Sequence, residues 1–258
     1  MRTLYSEGLK LIYSGETKIV FLLATVCQAF MAYLESRQFR SIGLDATPLT
    51  QADLLEAVPP LEYIGFDAAL FGIFALVVLG ALIGAKEFRA RSLRSTLLAT
   101  PSRCKAVFAK TGSLAAAVIL ISFLSTYVTL AVAHAGLAGE GLSPVLLCRQ
   151  TWSFLGWTMI SEVLLTLLAF VLAFLLRGAT LPLLFLLSQF YLVIYLPAGS
   201  VLGKLLPVSL AESLIATSPD AFAKSPVQSA AILLIYVVII LLFATWRICR
   251  EDLGNHEE

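Results

Sequence analysis

The sequence predicts an all-α integral membrane protein with six transmembrane helices, and three observations carry that expectation. Of its 258 residues, 59% are hydrophobic and only 14% charged, against roughly 45–50% apolar usage in soluble domains; the mean hydropathy is +0.90. The apolar residues also gather into runs of span length, separated by connections that carry the charge. Finally, seven of the eighteen Lys and Arg residues fall between Gly84 and Lys110. Positive residues in a short loop between spans resist translocation, so this block orients the chain. The formal net charge of +1 hides that asymmetry, and nothing in the composition calls for a nucleic-acid partner.

Residues 1–18 begin a single transmembrane domain that takes in residues 1–258. Tyr5, Leu9 and Ile12 lie at helical steps of four and three, which predicts a short helix lying in the headgroup plane; a frayed terminal tail is the alternative. The first span, residues 19–34, is bracketed by Lys18 and Glu35 and lacks a small-residue cleavage site, so it reads as retained. Residues 36–63 then predict a polar connection, with Pro59-Pro60 near its end. The second span is residues 64–85. Within the basic block, Lys86 to Ala99 holds no Gly or Pro and is rich in Arg, Leu, Ala and Ser. It therefore reads as a helix over residues 86–100, stopped by Pro101.

Residues 106–135 form the third span, and 136–150 a Gly-containing loop. The fourth span, 152–176, has Trp152 and Trp157 placed for an interfacial aromatic belt. It turns at Arg177-Gly178-Ala179-Thr180 into a fifth span at 181–196, which makes the two an antiparallel pair. From 197 to 226, apolar residues are interrupted by Pro207, Pro219 and single charges. That pattern is too apolar for a free loop and too broken for a span, and predicts half-helices lodged against the other spans. The sixth span is residues 227–248. On this layout Arg2, Lys10, Lys18, the seven residues of the block, Arg177, Arg247 and Arg250 lie on one side. Arg37, Arg40, Arg149, Lys204 and Lys224 lie on the other. The bias places both termini in the cytoplasm.

Few residues promise chemistry. Cys27, Cys104, Cys148 and Cys249 have no paired spacing, so neither a disulfide framework nor a zinc site is expected. His134 has no second ligand in view, and no metal site is predicted. Glu162 is the carboxylate placed deep in a span. Its insertion costs about 3 kcal/mol, which the span's Leu, Ile, Val and Phe residues offset at roughly 0.3–0.6 kcal/mol each. Such a residue should face protein or a cavity. It reads either as a contact to a cationic substrate or a gating pair, or as the acceptor of a structural hydrogen bond from a Ser or Thr such as Thr129 or Ser125. Ser122, Ser125, Thr126 and Thr129 lie close to one face of the third span and read first as packing residues.

As a bare charge cluster, the basic block need only set topology. Its residue order, however, resembles the inner loop of permeases of the ABC type-2 exporter family: Glu87, then Arg91-Ser92 where the family has Gly-Thr, then Leu97, Pro101-Ser102-Arg103 and Lys110 at the foot of a span. The interfacial helix, six spans, basic loop and broken segment are similar to that family along nearly the whole chain. The resemblance implies that residues 86–100 are a coupling helix docking on a separate nucleotide-binding subunit, with Glu87, Arg91, Ser92, Leu97, Pro101, Arg103 and Lys110 as the coupling residues.

The chain has no Gly-x-x-x-x-Gly-Lys-Ser/Thr motif, so ATP and Mg are expected on the P-loop ATPase partner and no cofactor on this chain. A second permease, identical or related, and a bacterial cytoplasmic membrane complete the expectation. The substrate would be an amphipathic peptide, antibiotic or lipid-like molecule, in drug resistance or immunity. The alternative is a membrane-embedded enzyme or assembly factor without an ATPase partner. Against an enzyme stands the lack of paired intramembrane carboxylates, and of a nucleophile with a base at readable spacing.

Overall fold

A computed structural model describes residues 2–50, 58–88, 103–137, 143–195, 200–215 and 225–250. Most of these are helical, with no strand among them. In chain order the helices are α1 (Arg2–Tyr13), α2 (Gly15–Ile42), α3 (Ala69–Lys86), α4 (Arg103–Gly136), α5 (Arg149–Leu176), α6 (Thr180–Tyr195), α7 (Val201–Leu205), α8 (Pro207–Ile215) and α9 (Pro226–Arg250). Five of them, α2, α3, α4, α5 and α9, are long and apolar enough to cross a membrane. Helix α6 is apolar but has 16 residues, about 24 Å of rise, against a hydrocarbon core of about 30 Å. Most of the predicted coupling helix, with Arg91, Ser92, Leu97 and Pro101, lies outside the described residues.

Two helices differ in extent from the apolar runs. The run at 19–34 predicts a span followed by a polar connection from residue 36, and α2 continues unbroken past it to Ile42. A change of polarity does not end a helix. Glu35 to Arg40 has no Gly or Pro, and Arg37 stays on the helix with its guanidinium 5.8 Å from the Tyr33 ring. The stop is Gly43, at φ +102°, whose N–H donates to Phe39 O. The second span was expected from residue 64, yet α3 begins at Ala69. Before it, a short 3₁₀ turn (Leu61–Tyr63) and Gly65 at φ +101° fold Tyr63, Ile64 and Phe66 into the core. Tyr63 and Phe66 meet the ring of Phe154 on α5, at 4.9 and 5.8 Å between centroids.

Helix α5 is the centre of the bundle, packed by α3, α4, α6, α8 and α9. Its closest neighbour is α3, and glycine explains the approach. A Cβ on Gly80 would stand 2.3 Å from Thr166 O, and one on Gly84 would stand 2.5 Å from Phe170 O. Where lipid supplies no hydrophobic drive between helices, such backbone-to-backbone contact is a main source of association.

The broken segment forms α7 and α8. Helix α8 is buried along Pro207 to Ala211, and side chains of the surrounding helices satisfy its backbone. Gln189 Oε1 accepts from Val208 N at 3.3 Å, and Ser161 Oγ donates to Ala211 O at 3.1 Å. These bonds are what irregular backbone at membrane depth requires.

Candidate functional site

Polar chemistry concentrates at two junctions in this apolar bundle. The first lies at the foot of α4. Lys110, its side chain 5% exposed, stands between two carboxylates: Glu87 just past α3, at 2.6 Å, and Glu7 of α1, at 3.1 Å. Glu7 also takes Lys10 at 2.6 Å, an i, i+3 pair on one turn. At the edge of the same cluster, Lys86 donates to Glu16 across 3.2 Å. Burial disfavours the charged form of Glu7, but the hydrogen bonds and charges of Lys10 and Lys110 together outweigh it and hold the carboxyl below its ordinary 4.5.

Two residues of the sequence-read coupling set, Glu87 and Lys110, are thus brought into contact. They are the first and last of the set, and their pairing fastens the chain just past α3 to the foot of α4. The end of α3 is held on its other flank too. The Phe88 ring lies 5.1 Å from that of Phe174, with the guanidinium of Arg177 5.5 Å from the Phe88 centroid. Arg103 is the first residue of α4. Sequence reasoning missed Glu7; the available signal was a carboxylate three residues before Lys10, beside the apolar stripe of α1.

The second junction is in the middle of the bundle. Glu162 is fully buried, and Ser122 Oγ of α4 donates to its Oε2. Gln28 Nε2 of α2 donates to Oε1 at 3.3 Å, and Thr129 Oγ1 donates in turn to Gln28 Oε1, also at 3.3 Å. The expected structural bond from a Ser or Thr is thus present, with Ser122 as the donor and not Thr129 or Ser125. Thr129 reaches Glu162 only through Gln28, and Ser125 Oγ donates to Ser122 O. A side chain at residue 72 would collide with this network, since a Cβ on Gly72 would lie 1.4 Å from Gln28 Nε2. Gln28 was missed as well, although an amide in the middle of an apolar run is itself the signal.

Glu162→Gln keeps an acceptor and a donor at this junction and is expected to shift stability by less than about 1 kcal/mol. Glu162→Leu strands Ser122 and Gln28 and is expected to cost about 1–3 kcal/mol. Thermal unfolding of the purified variants in one detergent separates the two.

His134 is buried, with Nδ1 3.4 Å from Ser143 O, and no metal-binding group is present among the described residues. No protein-family model matches the chain. No curated protein matches it either.

Proposed function

We propose that the chain is the membrane-spanning permease subunit of an ATP-driven ABC exporter. In this reading it has six spans, α6 being the fifth, with α1 at the interface and both termini in the cytoplasm of a bacterial cell. It works beside a second permease, identical or related, and over P-loop ATPase subunits that carry ATP and Mg. The cargo class is an amphipathic peptide, antibiotic or lipid-like molecule.

The observation that carries the reading is the buried contact of Glu87 with Lys110. A loop that receives force from a soluble partner needs a base that does not yield. Glu87 is tied to α4 and, through Phe88, to the α5–α6 turn, so displacement of the loop would be passed to three helices at once. The ligand must then bind the resulting arrangements unequally for work to be done.

Co-purification tests the proposal. The wild-type chain should recover a protein bearing Gly-x-x-x-x-Gly-Lys-Ser/Thr, encoded nearby. Arg103→Ala should lower that recovery severalfold while leaving membrane insertion intact. Glu87→Ala should lower it too, but it also opens the buried contact, so Arg103→Ala is the cleaner variant. If both variants keep full ATPase recovery and transport, the coupling role is wrong. If the wild-type chain recovers no ATPase, an embedded enzyme or assembly factor becomes the better reading.

A further inference from the structure

We infer that the hollow between α1 and the adjoining ends of α2, α3 and α4 binds the headgroup of one zwitterionic phospholipid with a primary ammonium, the ethanolamine class. The hollow has a volume of about 180 Å³, room for about six waters at their liquid density. Glu7, Lys10 and Leu11 line it from α1, Ser14 and Glu16 from the start of α2, and Ile83, Lys86, Glu87, Lys110 and Ser113 from the α3 and α4 side. Three carboxylates face three ammonium groups, so the wall has no net charge with which to hold a simple anion or cation. A dipolar ligand gains at both of its ends.

The groups left to bind it are at the rim. Lys110 is occupied between Glu7 and Glu87. Lys10 and Lys86 have side chains 63% and 58% exposed, each with one carboxylate partner among the described residues, and an ammonium has three N–H donors. They can take the two anionic oxygens of a phosphodiester. Glu16 gives Oε1 to Lys86, and its Oε2 is buried with no hydrogen-bond partner among the described residues, so it is the acceptor left for the ligand's ammonium. A choline headgroup has no N–H to offer it. Leu11 and Ile83 supply an apolar wall for the glycerol end.

The depth is right for a headgroup. Tyr5, Ile12 and Tyr13 of α1 are 70%, 59% and 74% exposed, and Lys18 Nζ sits 5.8 Å from the Tyr13 ring centroid. Rings and aliphatic chains left uncovered beside cations suit the boundary between headgroups and acyl chains. The inference rests on this placement of α1 and not on the transport reading.

The test uses the full chain in nanodiscs, with ethanolamine or choline phospholipid at a constant fraction of phosphatidylglycerol, together with native mass spectrometry of the detergent-purified protein. The expected result is one retained ethanolamine phospholipid per chain, and a lower thermal midpoint when choline lipid replaces it. Glu16→Gln should abolish the preference for ethanolamine over choline, and Lys86→Ala should reduce retention of both at least threefold. Equal retention of the two lipids by the wild type, or a preference for phosphatidylglycerol, overturns the site. A Tyr13→Trp probe reports depth separately. Emission quenched by headgroup-labelled lipid is expected, and a water-exposed probe overturns the placement itself.

Discussion

Lys110→Ala is expected to destabilise the protein by about 3–5 kcal/mol, because removing one partner of a buried ionic group leaves uncompensated charge behind. Here Glu87 loses Lys110 and Glu7 keeps only Lys10 among the described residues, with side chains 11% and 8% exposed. Adding Glu7→Gln and Glu87→Gln to Lys110→Ala removes the stranded charge and should recover most of the loss, which a simple deficit of packing at residue 110 would not allow. Thermal midpoint and the yield of monodisperse protein in one detergent measure both.

The same cluster should respond to acid. Glu7 has a folded-state pKa below the unfolded value of 4.5, so its contribution is fully present above about pH 4.5 and is lost as the pH falls through the lower, folded value. Glu7→Gln should flatten that part of the stability profile. An unchanged acid limb in the variant would separate Glu7 from the behaviour.

Gly80→Ala is the second large effect, and Gly80→Ala with Gly84→Ala larger still. The new methyl groups would meet Thr166 O at 2.3 Å and Phe170 O at 2.5 Å, backbone atoms that cannot rotate away, so α3 must separate from α5. Overpacking of this kind costs about 1–3 kcal/mol a site. Gly156→Ala on α5 is the internal control. Nothing lies within 4 Å of a Cβ there, and alanine is the better helix former by up to about 1 kcal/mol. The three midpoints should therefore rank Gly156→Ala at or above wild type, then Gly80→Ala, then the double variant.

The long apolar runs were legible because hydropathy over some twenty residues leaves little choice in lipid. Five of the expected spans correspond to helices of crossing length, and the interruption around Pro207 was readable from its composition. Helix ends were less so. The apolar run that predicts the first span ends at Leu34, where polarity changes, while the helix itself ends only at Gly43. The second was begun at Ile64, because apolar residues in a folded turn read like those in a helix. Gly80 and Gly84 stand at small-xxx-small spacing, yet spacing alone does not say which neighbour they face. The Glu162 junction shows the same limit. The carboxylate was conspicuous, but its donors come from α2 and α4, 134 and 40 residues away, and no local pattern pairs them.

The contact between Glu87 and Lys110 has one more consequence. It joins the described chain on either side of residues 89–102, so the two flanks of that stretch are fixed to each other by a buried ion pair, independently of the sequence between them. A graft that exchanges residues 89–102 and leaves Glu87 and Lys110 in place is therefore the natural unit for redesign.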